Sequence, residues 1–323
     1  MSLFERHRGL ILPVLFLAAL TIWPVATANA ADRERVFTIL KAVALAASLN
    51  ILLGYAGYVS FGHIVFFGFG GYVGIYLLTA ADWSLWTALL AGGLASGVLA
   101  LLLGSAILRL RGAYFALATI GINEAMRAFV TNFDPFGAST GITLNFSVYK
   151  LYGGAAQALQ TSFYVSAALA LLAVVISHMV RTSKFGLGLL AIRENEDAAE
   201  VMGVVAHRAK TWAYVLSALV PGMIGVLFFF KNGNVEPNDA FPLHSSIELL
   251  VMVMLGGQGT VLGPLLGALA YQGMRGYLVT SDIFKDIQLS VSGVLLLLIV
   301  LFIPAGAIGW LRRRLPPLRA VLA

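Results

Sequence analysis

The sequence predicts an all-α integral membrane protein, a polytopic helical bundle of about ten (eight to ten) transmembrane segments in one domain spanning residues 1–323. Three observations predict it. Hydrophobic residues make up 59% of the 323-residue chain and charged residues only 11%, where a soluble domain carries roughly 25% charged. Mean hydropathy is +0.89, so water cannot be the solvent for most of the surface. Apolar runs of the length that crosses a hydrocarbon core, about 17–25 residues, recur along the whole chain. The 34 glycines suit helices that approach closely in lipid.

The runs fall at about 10–26, 37–53, 58–80, 84–108, 112–131, 161–180, 211–230, 245–256, 262–279 and 289–309. The first follows a basic head and ends at Ala-Asn-Ala, which imitates a cleavable signal; it is read as a retained helix. The third opens among glycines and polar residues. The fifth carries Asn123, Glu124 and Arg127. The eighth is short and is separated from the ninth by the Gly-rich stretch "LGGQGTVLGP". Orientation follows from the basic residues. With the N-terminus cytoplasmic, thirteen Lys and Arg fall on the inner side (Arg6, Arg8, Arg109, Arg111, Arg181, Lys184, Arg193, Arg208, Lys210, Arg312, Arg313, Arg314 and Arg319). Five fall outside: Arg33, Arg35, Lys150, Lys231 and Lys285. That asymmetry places both termini in the cytoplasm. It also assigns the net charge of +6 to membrane topology and lipid contact rather than to nucleic acid.

Several chemistries are excluded. There is no cysteine, hence no disulfide or zinc–thiolate site. None of the six lysines follows a glycine, so the phosphate cradle of a P-loop ATPase cannot form. The five histidines show no metal spacing; His178, His207 and His244 read as interfacial.

One short island interrupts the apolar pattern. Arg193, Glu194, Glu196, Asp197 and Glu200 fall within eight positions, inside the longest expected cytoplasmic loop, about 181–210. Ala191 to Met202 lacks Pro and Gly and is expected to be one helix, with Ile192, Asn195, Ala199 and Met202 on one face. Gly203 suits the left-handed residue after its end. A helix of this length is marginal alone in water, so it must rest on something. Apolar residues that dock beside acids that select a basic partner describe a contact element; a solvated connecting helix is the plainer alternative.

Within the spans, Glu124 lies about 18 Å past Gly112 along a helix, and Arg127 stands where it can pair with it. Asn123 faces elsewhere, over Thr119. The pair reads either as structural or as part of a pathway. Residues 54–74 hold seven glycines: Gly70 and Gly74 suit helix contact. The earlier glycines stand among Tyr55, Tyr58, Ser60 and His63, in irregular backbone of the kind tolerated only when buried in protein or lining a water cavity. Glu248, near the outer end of its run, reads as interfacial. Outside, residues 132–160 and 231–244 offer acids, amides and aromatics as a docking surface.

These residues carry a resemblance. "GLGLLAIRENEDAAEVMGV", "SLNILLGYAGYVSFGHIVFFGFGGY", "LRLRGAYFALATIGINEAMR" and "SIELLVMVMLGGQGTVLGPLLGA", in this order over about residues 48–270, resemble the permease subunits of branched-chain amino-acid type ABC importers. The resemblance implies a bacterial inner-membrane permease, without enzymatic activity of its own. Its partners would be a homologous permease, two ATP-binding cassette ATPases that bind the ATP and Mg, and an extracytoplasmic substrate-binding protein. It implies ATPase coupling through Arg193, Glu194, Glu196, Asp197, Ala198, Ala199 and Gly203. The pathway residues expected beside it are Asn50, Tyr55, Ser60, His63, Asn123, Glu124 and Gln258. Branched-chain amino acids are the implied cargo, with urea, amides and aromatic acids as related possibilities. Leu187 stands where a basic residue is expected, Pro221 interrupts its span, and Gln258 replaces an apolar residue. A proton-coupled secondary transporter, titrating Glu124 or His63, is the competing class.

Overall fold

The computed structural model describes residues 3–27, 29–280, 290–291, 293–294, 297–298 and 306–309. Most of the tenth expected span, together with Lys285 and the basic tail at Arg312, Arg313, Arg314 and Arg319, lies outside the described residues. The chain divides into two compact units. Met1–Gly57, Ala170–Ala206 and Ile247–Ala323 form one, and Tyr58–Leu169 with His207–Ser246 the other.

In the first unit, α1 (Leu3–Ala26) packs on α2 (Ala30–Asn50). The Asn29 side chain caps α2 by accepting from the Ala31 N–H, and α2 is almost wholly buried from Val36 to Asn50. It continues into a π-helical turn, Ile51–Tyr55. The second unit begins after Gly57. There the chain is non-helical until α3 (Ile64–Ala80), so the third span starts later than its apolar pattern suggests. The backbone is consumed in polar contacts over residues 58–63, described below. Next come α4 (Leu85–Ile107), capped by Ser84, and α5 (Ala113–Thr131). The segment after it holds β1 (Ile142–Thr143) and α6 (Phe146–Lys150).

The helix α7 (Ala155–Thr182) leads to α8 (Lys184–Glu194) and α9 (Glu196–Val201). Then follow α10 (Ala206–Asn232), β2 (Asn234–Val235), α11 (Pro237–Ala240), α12 (Leu243–Gly256) and α13 (Gly263–Thr280). Pro221 lies inside α10 without ending it. The small-residue face of α3 works as its spacing predicts: a side chain at Gly70 would strike Gly222, and one at Gly74 would strike Val226, both on α10.

Six apolar helical stretches among the described residues are long enough to cross a membrane: Gly9–Ala26, Ala30–Tyr55, Leu85–Ile107, Ala155–Thr182, Ala206–Asn232 and Pro237–Gly256. The helix Ile64–Ala80 is apolar but shorter. Expected spans five and nine are the helices α5 and α13, which carry Glu124, Arg127 and Arg275 within them. The fold is that of an all-α membrane protein. Two expectations are corrected here. Glu248 is buried rather than interfacial and forms an ion pair with Arg275 at 3.2 Å, joining α12 to α13. His178 is buried as well, because α7 runs on to Thr182 and keeps it within the packed part of the helix.

Candidate coupling and translocation sites

The charged island is two helices, not one. Asn195 leaves helical geometry (φ −159°, ψ 111°) and its Oδ1 accepts from the Ala198 N–H, capping α9. Asparagine competes with the helix for its own backbone, and here it wins. The break re-aims the expected face. Ile192 and Ala199 are buried, whereas Val201 and Met202 are among the most exposed side chains of the molecule. Gly203, at φ +90°, ends α9 in a Schellman arrangement: its N–H donates to the Glu200 carbonyl, and the Val204 N–H to that of Ala199. Glu194, Asp197, Ala198 and Glu200 are exposed; Glu196 is half-buried.

Arg193 points the other way. Its Nη1 donates to the Gly54 carbonyl at 2.7 Å, satisfying an acceptor that the end of the π-helical turn leaves open. Four residues earlier in that turn's approach, Asn50 makes a two-sided clamp. Its Nδ2 donates to the Thr260 carbonyl at 3.0 Å, and its Oδ1 accepts from the Gly259 N–H at 2.9 Å. Gly54 must be small, because a Cβ there would run into Asn50 Oδ1 and the backbone nitrogen of Gly259. The charged island, the π-helical turn and the Gly-Gly-Gln-Gly turn therefore meet within the first unit. Gln258 sits half-buried at the tip of that turn. Tyr55, in the same π-helical turn, is buried and shares a hydrogen bond of 2.8 Å with Ser177 of α7.

The second unit holds the remaining expected pathway residues. Residues 58–63 run along the first turns of α10. Lys210, only 1% exposed, donates to the Tyr58 hydroxyl at 2.7 Å. Ser60 and His63 are completely buried; the Ser60 hydroxyl and both His63 ring nitrogens complete no hydrogen bond at normal geometry among the described residues. Tyr214 lies beside Ser60, and the Ser217 backbone beside His63. On the other side, the Thr119 hydroxyl of α5 accepts from the Phe61 N–H at 3.0 Å. The Ser246 hydroxyl accepts from the Ile64 N–H at 3.3 Å, where α3 begins. Asn123, one turn beyond Thr119, is buried and donates to the Phe241 carbonyl at 3.0 Å, while its Oδ1 is unpartnered among the described residues. Glu124 does not join this group. It is about half-exposed and pairs with Arg127 at 2.6 Å along α5.

The two long loops expected outside meet in an antiparallel ribbon, Ile142 against Val235 and Thr143 against Asn234. A cavity of 540 Å³ opens beside it, walled by Leu144, Tyr149, Leu159 and Phe230. The Tyr149 hydroxyl donates to the Phe230 carbonyl at 2.6 Å, and burial pushes its phenol up from the usual value.

The family described as "Branched-chain amino acid transport system / permease component" matches residues 35–300, both clusters included. The chain belongs to this family. Among relatives of this permease, LivM of Salmonella typhimurium, a high-affinity branched-chain amino acid transport system permease protein, is 27% identical over 93% of this chain and 76% of its own length. The L-arabinose ABC transporter permease protein AraH of Azospirillum brasilense is 28% identical over 72% of this chain and 68% of its own. The permease protein LivH of Salmonella typhimurium is 28% identical over 47% of each chain. No solved structure matches the permease significantly. Sequence reasoning missed Lys210, counted only as an inner-side charge. The available signal was the polar stripe Lys210, Tyr214, Ser217 at helical spacing in an otherwise apolar span.

Proposed function

We propose that the permease is the membrane subunit of an ATP-driven importer that passes branched-chain amino acids inward. It works with a homologous second permease, two ATP-binding cassette ATPases holding ATP and Mg, and an extracytoplasmic binding protein. Residues 1–323 act as one transmembrane permease domain with cytoplasmic termini in a bacterial inner membrane, and the loop at about 181–210 faces the ATPases. The cargo reading rests on the branched-chain amino acid systems named for the LivM and LivH relatives, and the ABC class also on the AraH relative.

One observation carries the coupling reading: Arg193 ties the charged island to the Gly54 carbonyl, while Glu194, Asp197 and Glu200, with Val201 and Met202, are left exposed. A force received on that surface has a direct path to the π-helical turn and, through Asn50, to the turn around Gln258. Glu196, Ala198, Ala199 and Gly203 complete this lever. Asn50, Tyr55, Ser60, His63, Asn123 and Gln258 are proposed along the pathway; Glu124 serves it through its pair with Arg127.

The test is uptake of labelled leucine by proteoliposomes carrying the assembled importer. Arg193→Ala is expected to leave assembly intact and to raise the ATP hydrolysed per leucine imported severalfold. Unchanged coupling in this variant would remove the lever role. Uptake that follows a pH gradient and ignores vanadate would replace the whole reading with a secondary transporter.

A further inference from the structure

Within the second unit, the first turns of α10 and the non-helical segment 58–63 match one another step by step. Lys210 meets Tyr58, Tyr214 lies beside Ser60, and the Ser217 backbone lies beside His63. Positions 210, 214 and 217 share one helix face, so the pairing is a ladder rather than three accidents. Its first rung holds a lysine that is 1% exposed. The next two hold a hydroxyl and an imidazole, each completely buried and with no completed hydrogen bond among the described residues.

Orphaned buried polar atoms are costly and rare in folded chains, and a protein that keeps three of them in a row keeps them for something that arrives. We propose that this ladder is a carboxylate-binding site, on which Lys210 supplies the positive charge and the Tyr58 hydroxyl, Ser60 and His63 supply hydrogen bonds. Every group but one is neutral, and the charged one is a cation. The start of α3 at Ile64 adds the positive end of a 17-residue helix. The rungs hold no carboxylate to pair with an ammonium group, so the site takes the acid end of an amphipathic metabolite. The cargo assignment, not the site chemistry, rests on the importer reading above.

The experiment separates the two. Saturation-transfer NMR on the assembled importer without its binding protein would use three probes: L-leucine, isovalerate (the carboxylate and side chain without the amine) and L-leucinamide (the amine and side chain without the acid). Leucine and isovalerate are expected to compete for one site and leucinamide not to compete. Ser60→Ala removes a hydroxyl that completes no hydrogen bond at normal geometry and has Tyr214 as its neighbour, so its thermal midpoint is expected to change little, while leucine and isovalerate binding fall about tenfold, the worth of one hydrogen bond to a charged group. Lys210→Met is expected to abolish both, with Lys210→Arg retaining isovalerate binding. Equal binding by wild type and Ser60→Ala, or competition by leucinamide, overturns the proposal even if leucine is imported. Isovalerate binding that Ser60→Ala weakens in an importer that carries no leucine would uphold the site and refute the cargo.

Discussion

Asn50 shows how much one side chain can carry. Its amide satisfies a carbonyl and an N–H of the same turn, at Thr260 and Gly259. Asn50→Ala would strand both, and each unsatisfied buried group costs about 1–3 kcal/mol. The expected outcome is a clear drop in the thermal midpoint of the detergent-solubilised permease, read by intrinsic fluorescence. Asn50→Asp is expected to be no better, since it keeps an acceptor for Gly259 and turns a second acceptor toward Thr260. The Glu248–Arg275 pair behaves differently. Glu248→Leu leaves Arg275 half-buried without its partner, an expected loss below the ~3–5 kcal/mol of a fully buried broken pair, because the guanidinium still reaches solvent. The double change Glu248→Leu with Arg275→Leu is expected to recover most of it, and a double variant as unstable as the single one would count against that account.

At the scale of elements, the charged island is two short helices that survive because both ends of α9 are closed. Asn195 closes its start and Gly203 its finish. Gly203→Val would force a branched residue to φ +90°, at about 1–2 kcal/mol. Fraying of α9 should then appear as faster cleavage by a protease specific for Glu or Asp, with α8 protected. The sequence made part of this legible. A glycine after an apolar–acidic run signals a helix end locally. Asn195 as a break, the π-helical turn at Ile51–Tyr55 and the burial of Lys210 were not legible. Asn195 decides by a local competition, its side chain taking the Ala198 N–H from the helix, whereas the other two depend on partners far along the chain: Gly54 needs the turn at Gly259, and Lys210 needs Tyr58, 152 positions away.

For the whole molecule, apolar periodicity made the membrane class and most helix positions readable, since lipid demands that every backbone group be satisfied within helices. It overcounted what each span contributes, because α3 yields its first turns to a polar segment and α5 carries an ion pair. The candidate pathway was legible as residue types but not as groupings. Asn50 and Gln258 belong with Arg193 in one unit, and Ser60, His63 and Asn123 with Lys210 in the other. The prediction at this scale is energetic: leucine uptake by the assembled importer should be abolished by vanadate and insensitive to collapse of the proton gradient.

The π-helical turn has one more consequence. A π turn holds one residue more than an α turn of the same height, the mark of an inserted residue. Removing one residue from Ile51–Leu53 is therefore expected to restore ordinary winding while the helix before the turn keeps its facing. Val36, Phe37 and Leu40 would stay sealed inside the molecule, and what would be lost is the wide turn that sets Gly54 against Gly259 and the Arg193 guanidinium. A single-codon deletion there is expected to give a stable product in detergent in which Arg193→Ala has no further effect on coupling.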